Sequence, residues 1–193
     1  MVYNKFMKRI VVTEFMSLDG VFEDPGGAEG FKYGGWTMSY GNDEFMKFKS
    51  EELKAADVQL LGRITYEGFA QAWPEYSGDE FSDKFNAMPK YVISSTLKKA
   101  EWNNSHIIKN DFAKEIARLK EEEGKGDILV SGSGQLVNFL LEEQLVEEIR
   151  LFVYPVVLGK GKRLFKNTHK RLKLIESTPF KTGVLALRYE PKM

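Results

Sequence analysis

The chain has 193 residues, of which 42% are hydrophobic and 29% charged, and its 28 basic residues balance 28 acidic ones. These values are typical of one globular domain, and the zero formal charge gives no electrostatic reason to expect nucleic acid or an anionic membrane as a partner. The sequence contains no cysteine, which excludes disulfides, thiolate nucleophiles, thiolate-bound zinc and iron–sulfur clusters. The two histidines, His106 and His169, are too far apart in the sequence for a local ligand pair, so we expect no metal site.

The amino-terminal segment lacks an apolar signal core, and no stretch approaches the ~18 apolar residues of a membrane span. We therefore expect a cytoplasmic protein. We also expect residues 1–7 to be an extension that precedes the domain. Apolar and β-branched residues predict a first strand at 9–16, "RIVVTEFM", which is buried on both faces. The glycine-rich stretch that follows at 21–40 is long for a compact domain, which indicates a functional or partly disordered loop.

Strands and helices alternate through the middle of the chain. Further strands are predicted at 58–62, 90–95, 106–109 and 127–131, and helices at 42–57, 63–73, 79–88, 111–124 and 134–143. Three more strands, at 147–159, 172–180 and 184–191, follow with no helix between them. This order predicts one α/β domain over residues 1–193 with a three-layer α/β/α architecture. Its central sheet is mainly parallel, with antiparallel strands at the carboxyl end.

Three of the predicted strand ends carry residues suited to ligand binding. In open α/β sheets, ligands collect at the carboxyl ends of the parallel strands. The residues are Gly62, Arg63 and Thr65 after one strand, Ser94 and Ser95 after the next, and Ser131, Gly132, Ser133 and Gly134 after "DILV". Each segment alone also has a structural interpretation, as a helix cap, a strand exit or a turn that needs positive φ.

Taken together, the three segments favour a nucleotide site. Glycines at a helix amino terminus let backbone N–H groups approach a pyrophosphate. An arginine and two hydroxyls can hold a phosphate monoester through charge-assisted hydrogen bonds, as a nucleotide with a 2′-phosphate requires. The sequence has no GxxxxGK[ST] loop, and "GSGQLV" lacks the third glycine of the Rossmann fingerprint.

The motifs "MSLDGVFED", "LLGRITYEGF", "KYVISSTL", "ILVSGSGQLVNFLL" and "LFVYPVVLGKGKRLF" occur in the order seen in the dihydrofolate-reductase-like superfamily. The chain most resembles the reductase domain of the bifunctional riboflavin-biosynthesis deaminase–reductase and its small stand-alone bacterial relatives, over residues 8–191. The resemblance implies NADPH as the cofactor and hydride transfer as the reaction. Deamination is excluded, because the deaminase half is missing and its zinc signature needs cysteines, which this sequence lacks.

The resemblance also implies a role for each matching residue. Gly62, Arg63 and Thr65 would lie along the dinucleotide, and Ser94 and Ser95 would meet the adenosine ribose and its 2′-phosphate. The residues implied beneath the pyrophosphate and nicotinamide are Ser131, Gly132, Ser133, Gly134, Gln135 and Leu136. Those implied at the nicotinamide pocket are Phe15 and Phe22, with Asp19 in the loop that closes over it.

Two carboxyl groups are candidates for the proton donor, and the sequence does not decide between them. Dihydrofolate reductases place a carboxylate on the first helix, facing the pterin, and Asp43 falls near that place. An exposed position at the helix start explains Asp43 equally well. Glu14 is a charge inside an apolar strand, which indicates either a buried acid or an exposed strand end.

The segment at 21–40 does not resemble that of a true dihydrofolate reductase. Its aromatic residues Phe31, Trp36 and Tyr40 are candidates to line a substrate pocket, or they pack locally. Two functions follow from the sequence. One is an NADPH-dependent reductase of a pterin- or ribosylaminopyrimidine-like substrate, and the other is an NADP(H)-binding module with little turnover that acts in regulation or interaction. We also expect a homodimer, because the related riboflavin reductases are dimers, and the strand "LFVYPVV" is a candidate interface.

Overall fold

The computed structural model describes residues 7–122, 124–166 and 168–192, so residues 1–6 of the expected extension lie outside the described part. The strands are β1 Ile10–Ser17, β2 Ala56–Gly62, β3 Lys90–Ile93, β4 Ser105–Ile108, β5 Asp127–Ser131, β6 Glu148–Tyr154, β7 Leu172–Pro179 and β8 Leu185–Pro191. The helices are α1 Asp43–Ala55, α2 Arg63–Ala72, α3 Glu80–Ala87, α4 Phe112–Lys120 and α5 Gly134–Glu142. Short 3-10 helices span Met38–Tyr40 and Trp73–Glu75. None of the helices in the described ranges is long and apolar enough to cross a membrane.

The eight strands form one sheet in the order β4-β3-β2-β5-β1-β6-β8-β7. Strands β1 to β6 are parallel, β8 is antiparallel to β6, and β7 is antiparallel to β8. This confirms the predicted mainly parallel sheet with antiparallel strands at the carboxyl end. Because the parallel strands share one direction, the carboxyl ends of β1, β2, β3 and β5 lie along the same edge of the sheet.

Alternation along β1 shows how the sheet is covered on both faces. Ile10 and Val12 belong to a buried cluster that includes residues of α4 and α5. Val11, which points the other way, packs with residues of α1, α2 and α3. The three-layer architecture is therefore confirmed.

The start of α1 and the burial of β6 are two details of the fold that bear on the candidate site. Helix α1 begins after Asn42, whose side chain accepts a hydrogen bond from the Phe45 N–H at 2.8 Å. Strand β6 is buried along its whole length between β1 and β8. The candidate interface "LFVYPVV" is therefore core for residues 151–154, because the strand lies inside the sheet and not at its edge.

A chain of buried ion pairs connects α1 to the antiparallel strands. Lys49 pairs with Glu52, Glu52 with Arg150 at 3.3 Å, and Arg150 with Glu148 at 2.7 Å. Arg188 of β8 also pairs with Glu148, at 2.8 Å. Burial raises the pKa of the Glu148 carboxyl, but the hydrogen bonds and charges of Arg188 and Arg150 outweigh burial and lower the pKa to about 2. The carboxylate therefore stays ionised at neutral pH and links β8 to β6.

Candidate active site

The turns that follow β2 and β5 meet at the carboxyl edge of the sheet. The Ser133 N–H donates a hydrogen bond to Thr65 Oγ1 at 3.2 Å. A β-carbon added at Gly62 would overlap Ser133 Oγ, and one added at Gly132 would lie 2.7 Å from Thr65 Cγ2. Two of the three predicted segments are therefore in direct contact, and glycine is required at both positions for the turns to come this close. We call residues 62–65 and 131–134 together the two-turn cradle.

Helix α5 starts inside the cradle with an open amino terminus. Ser133 precedes the helix without a side-chain cap, and Gly132 has φ of +73°. Gln135 is exposed, whereas Leu136 is buried and holds the first turn of the helix against the core. Uncapped N–H groups at a helix amino terminus favour an anionic group, so the cradle suits a phosphate or pyrophosphate.

The remaining polar candidates lie at the ends of β2 and β3. Arg63 is exposed and pairs with Glu67 of its own helix at 2.8 Å. Exposed pairs of this kind contribute little stability, so the guanidinium can leave Glu67 for a phosphate. Ser94 is buried, and its hydroxyl accepts hydrogen bonds from the Thr96 and Leu97 N–H groups at 3.2 and 2.9 Å. Ser94 therefore shapes the turn, while Ser95 is exposed to solvent.

The aromatic candidates Phe15 and Phe22 lie on different sides of the same edge. Phe15 packs on the α1 side, with ring centroids 5.6 Å from Phe152 and 5.7 Å from Tyr154. Phe22 packs on the α5 side, where its ring is so close to Gly134 that an added β-carbon would lie 2.6 Å from Cζ. The carboxyl end of β1 thus has an aromatic ring on each side.

Asp19 ties two loops together beside this edge. Its carboxylate accepts hydrogen bonds from the Leu158 and Gly159 N–H groups at 3.1 and 2.9 Å and from Ser17 Oγ at 2.8 Å. The Leu158 N–H and the Ser17 hydroxyl are the main reasons why the pKa of Asp19 is lowered. Asp19 therefore holds the loop after β1 against the segment "LGKGKRLF".

The two candidate proton donors have opposite environments. Asp43 is exposed in the first turn of α1. Glu14 is buried in β1, and its Oε1 atom has no hydrogen-bond partner among the described residues. Burial raises the pKa of Glu14 to about 8, although the charge of Lys49 and the backbone N–H of Gly132 act in the opposite direction. The Glu14 carboxyl is therefore mostly protonated at neutral pH.

Two residues near the site were missed by sequence reasoning. Lys49 of α1 lies over the rings of Phe15 and Phe152, at 5.6 and 5.1 Å from their centroids. Tyr154, at the end of β6, is 2% exposed and packs against Trp36 and Phe15. A signal for Lys49 was present, because a lysine at a core-facing helical position needs a buried partner or a ligand.

The described residues contain no group of three or more His, Asp or Glu side chains placed to hold a metal ion. A groove of about 790 Å³ lies between α2, α3 and the segment at 97–103, with Tyr66, Asn86 and Trp102 in its wall. None of the predicted site residues lines this groove. The cradle, rather than the groove, is therefore the candidate active site.

The sequence model of the family described as "RibD C-terminal domain" matches residues 8–186 of the chain. The chain belongs to the RibD C-terminal domain family. This confirms the family resemblance on which the sequence assignments depend. The chain is also 29% identical to the uncharacterized protein YyaP of Bacillus subtilis (strain 168) over 195 residues, which cover 98% of each protein.

Two solved structures share the fold of this chain. A Shewanella sp. PV-4 protein provisionally named for riboflavin biosynthesis matches with a TM-score of 0.73 at 21% identity, over 96% of this chain and 99% of its own. Dihydrofolate reductase from Enterococcus faecalis, complexed with NADP(H), matches with a TM-score of 0.63 at 14% identity, over 97% and 99% of the two chains. At these identities the comparison establishes the dihydrofolate-reductase-like fold, as predicted.

The close approach of the two turns predicts that Gly62→Ala lowers the free energy of unfolding by roughly 1–3 kcal/mol, because the new β-carbon overlaps Ser133. Urea unfolding measures the loss. Adding Ser133→Gly removes the overlapped atoms, and we expect most of the loss to be recovered. Gly68→Ala is the matched control, since Gly68 has open space around it within α2 and alanine is the better helix former. A Gly62→Ala variant as stable as Gly68→Ala would contradict the proposed contact.

Because the pKa of the Glu14 carboxyl is raised on folding, we expect a pH-dependent difference in the free energy of unfolding between the wild type and Glu14→Gln. The pKa is raised from 4.5 to about 8 on folding, so between these values the unfolded state has lost the proton and the folded state has kept it. In this window the group costs the wild type up to ~1.4 kcal/mol of unfolding free energy per pH unit. Glutamine has no proton to lose, so the variant gains stability relative to the wild type as the pH rises from about 5 to about 8, with no further gain above that.

Urea unfolding at several pH values measures this difference. Glu51→Gln is the control, because Glu51 is exposed on α1. A stability difference between Glu14→Gln and the wild type that stays constant across this pH range would show that the carboxyl is not buried as described.

Proposed function

We propose that the protein is an NADPH-dependent reductase that transfers a hydride to a small heterocyclic acceptor of the pterin or ribosylaminopyrimidine type. The observation that carries this proposal is the two-turn cradle, in which an open helix amino terminus lies next to Arg63 in a chain of the RibD C-terminal domain family. The matching Enterococcus faecalis reductase is complexed with NADP(H), which supports the same cofactor here. The Shewanella relative supports an acceptor from riboflavin biosynthesis.

The residues present fit a dinucleotide with a 2′-phosphate. The cradle and the N–H groups of Gln135 and Leu136 would hold the pyrophosphate, because they form an uncapped helix start. The exposed Arg63 and Ser95 would hold the 2′-phosphate through charge-assisted hydrogen bonds. Ser94 would keep Ser95 in place by closing the turn.

The chain would contribute orientation, exclusion of water and control of a proton. When bound, the cofactor supplies the hydride at C4 of its nicotinamide. Phe15 and Phe22 would fix the plane of the ring from either side of the end of β1. Asp19 would keep the neighbouring loop closed against the segment at 158–159. Of the two candidate acids we favour Glu14 as the source of the proton, because it is buried and holds a proton at neutral pH, whereas Asp43 is exposed. Glu14 points to the α5 side of the sheet, so it would not contact an acceptor on the α1 side directly.

One observation favours the alternative of an NADP(H)-binding module with little turnover. Trp36 and Tyr40 pack against Tyr154 at centroid distances of 5.3 and 5.6 Å, beside Phe15. These rings occupy the side of the edge on which an acceptor would bind. The module would bind the cofactor equally well but would not admit an acceptor.

The homodimer expected from the sequence stays a prediction, which sedimentation velocity can test. Because β6 is buried, we propose that its interface uses the outer strand β7, where Leu174 and Ile175 are exposed.

The proposed 2′-phosphate contact predicts that Arg63→Ala weakens NADPH binding by roughly 10- to 100-fold, the value expected for a lost charge-assisted hydrogen bond. NADH, which lacks this phosphate, should lose little affinity. Titration of the tryptophan fluorescence with each cofactor measures both constants. Arg118→Ala is the matched control, because Arg118 is exposed on α4, away from the cradle. Equal losses for NADPH and NADH would contradict the assignment of Arg63.

Turnover separates the reductase from the module. We expect the NADPH-loaded protein to lose the absorbance of reduced nicotinamide when a dihydropterin or ribosylaminopyrimidine acceptor is added. Tight NADPH binding without oxidation by either acceptor class would favour the module. Failure to bind NADPH or NADH would contradict both functions.

A further inference from the structure

Glu14 is an exceptional carboxyl group in this fold. It lies at the centre of the sheet, 4% exposed, and its Oε1 atom has no hydrogen-bond partner among the described residues. An unpaired buried polar atom costs free energy, and packing alone would be served better by an apolar side chain. The position of Glu14 relative to the cradle suggests what the carboxyl does.

The carboxyl of Glu14 lies beside the cradle, on the side of the sheet that α5 covers. By alternation along β1, Glu14 points to the same side as Ile10 and Val12, which is the side covered by α4 and α5. The Gly132 N–H of the cradle acts on its carboxyl, and Phe15 is the next residue in the strand. Because the proposed function places the nicotinamide between Phe15 and Phe22 at the end of β1, the end of the cofactor that changes charge would lie next to Glu14.

Few charged groups face Glu14 from the elements around it. Lys49 of α1 acts on it from the other side of the sheet, where its Nζ donates to Thr13 Oγ1 at 3.0 Å and also pairs with Glu52. Helix α5 carries no charged residue before Glu142, and the partner of Glu14 on β6 is Leu151. A positive charge arriving at the cradle would therefore have a large effect on this carboxyl.

We propose that Glu14 couples its protonation to the redox state of the bound nicotinamide, so that binding of NADP⁺ releases the Glu14 proton to solvent whereas binding of NADPH retains it. This inference depends on the proposed function. The oxidised ring carries a positive charge and the reduced ring carries none. When the hydride leaves with its electron pair, the carboxyl becomes able to give up a proton, which matches the proton that reduction of the acceptor consumes. The carboxyl regains a proton from solvent when the oxidised cofactor leaves.

The pH dependence of the two affinities tests the coupling. A positive charge within ~4–6 Å lowers the pKa of a carboxyl by ~1–3 units. The affinity for NADP⁺ relative to NADPH should therefore increase about tenfold or more between about pH 6 and pH 9. The ratio is the quantity to measure, by fluorescence titration, because ionisation of the 2′-phosphate is common to both cofactors and cancels.

Two variants show whether Glu14 is the group responsible. Glu14→Gln should remove most of the change of the ratio with pH, while Glu51→Gln should behave like the wild type, since Glu51 is exposed on α1. Lys90 also titrates with a pKa near 8, because burial lowers the pKa of its ammonium, and its contribution would persist in Glu14→Gln. A ratio that varies equally in the wild type and in Glu14→Gln would overturn the proposal.

Calorimetry keeps the proposal testable if Glu14→Gln does not fold. Titrating wild-type protein with NADP⁺ in two buffers of different ionisation enthalpy measures proton release directly. We expect NADP⁺ to release more protons than NADPH near pH 7.5, and equal release would overturn the coupling. Absence of binding by either cofactor would instead contradict the proposed function itself.

Discussion

The contact between the turns after β2 and β5 is the constraint on which the candidate site depends. These strands are neighbours in a parallel sheet, so their carboxyl ends lie side by side. The turns touch because Gly62 and Gly132 have no β-carbons, and the Ser133 N–H donates to Thr65 across the gap. As a result, the amino termini of α2 and α5 lie next to each other, where the proposed dinucleotide would contact both. Side chains at either glycine would separate the two helix ends and divide the site.

Two buried glutamates on adjacent strands, one at the candidate site and one away from it, differ in their ion pairs and in the direction of their pKa shifts. Glu148 of β6 is paired with Arg150 and Arg188, and its pKa falls to about 2. Among the described residues Glu14 of β1 has no such pair, and its pKa rises to about 8. The first carboxylate links the antiparallel strands to the sheet. The second has no comparable structural role, and a site that breaks the rules of stable packing is where function is expected.

The fold and the outline of the site could be predicted from the sequence because both depend on local patterns. The apolar run of β1 and the glycines after β2 and β5 are visible as strings of residues, and the sheet places them together. The role of Asp19 could not be predicted, because its partners Leu158 and Gly159 are far away in the sequence. The burial of Glu14 could not be predicted either, since the sequence pattern around a charged strand residue is the same at an exposed strand end as in the core. In both cases the deciding quantity was a tertiary contact.

The start of α1 limits how an acceptor can be recognised. Because Asn42 caps the helix, Asp43 is left exposed in the first turn, and the positions that face the sheet carry Phe45, Phe48 and Lys49. The ring of Phe45 lies 5.8 Å from that of Phe15, on the side of the edge where Tyr154 packs. A pterin held by a carboxylate on this helix would find aromatic rings in its place. In the proposed reductase, recognition on this side would depend on ring packing, which favours a planar acceptor.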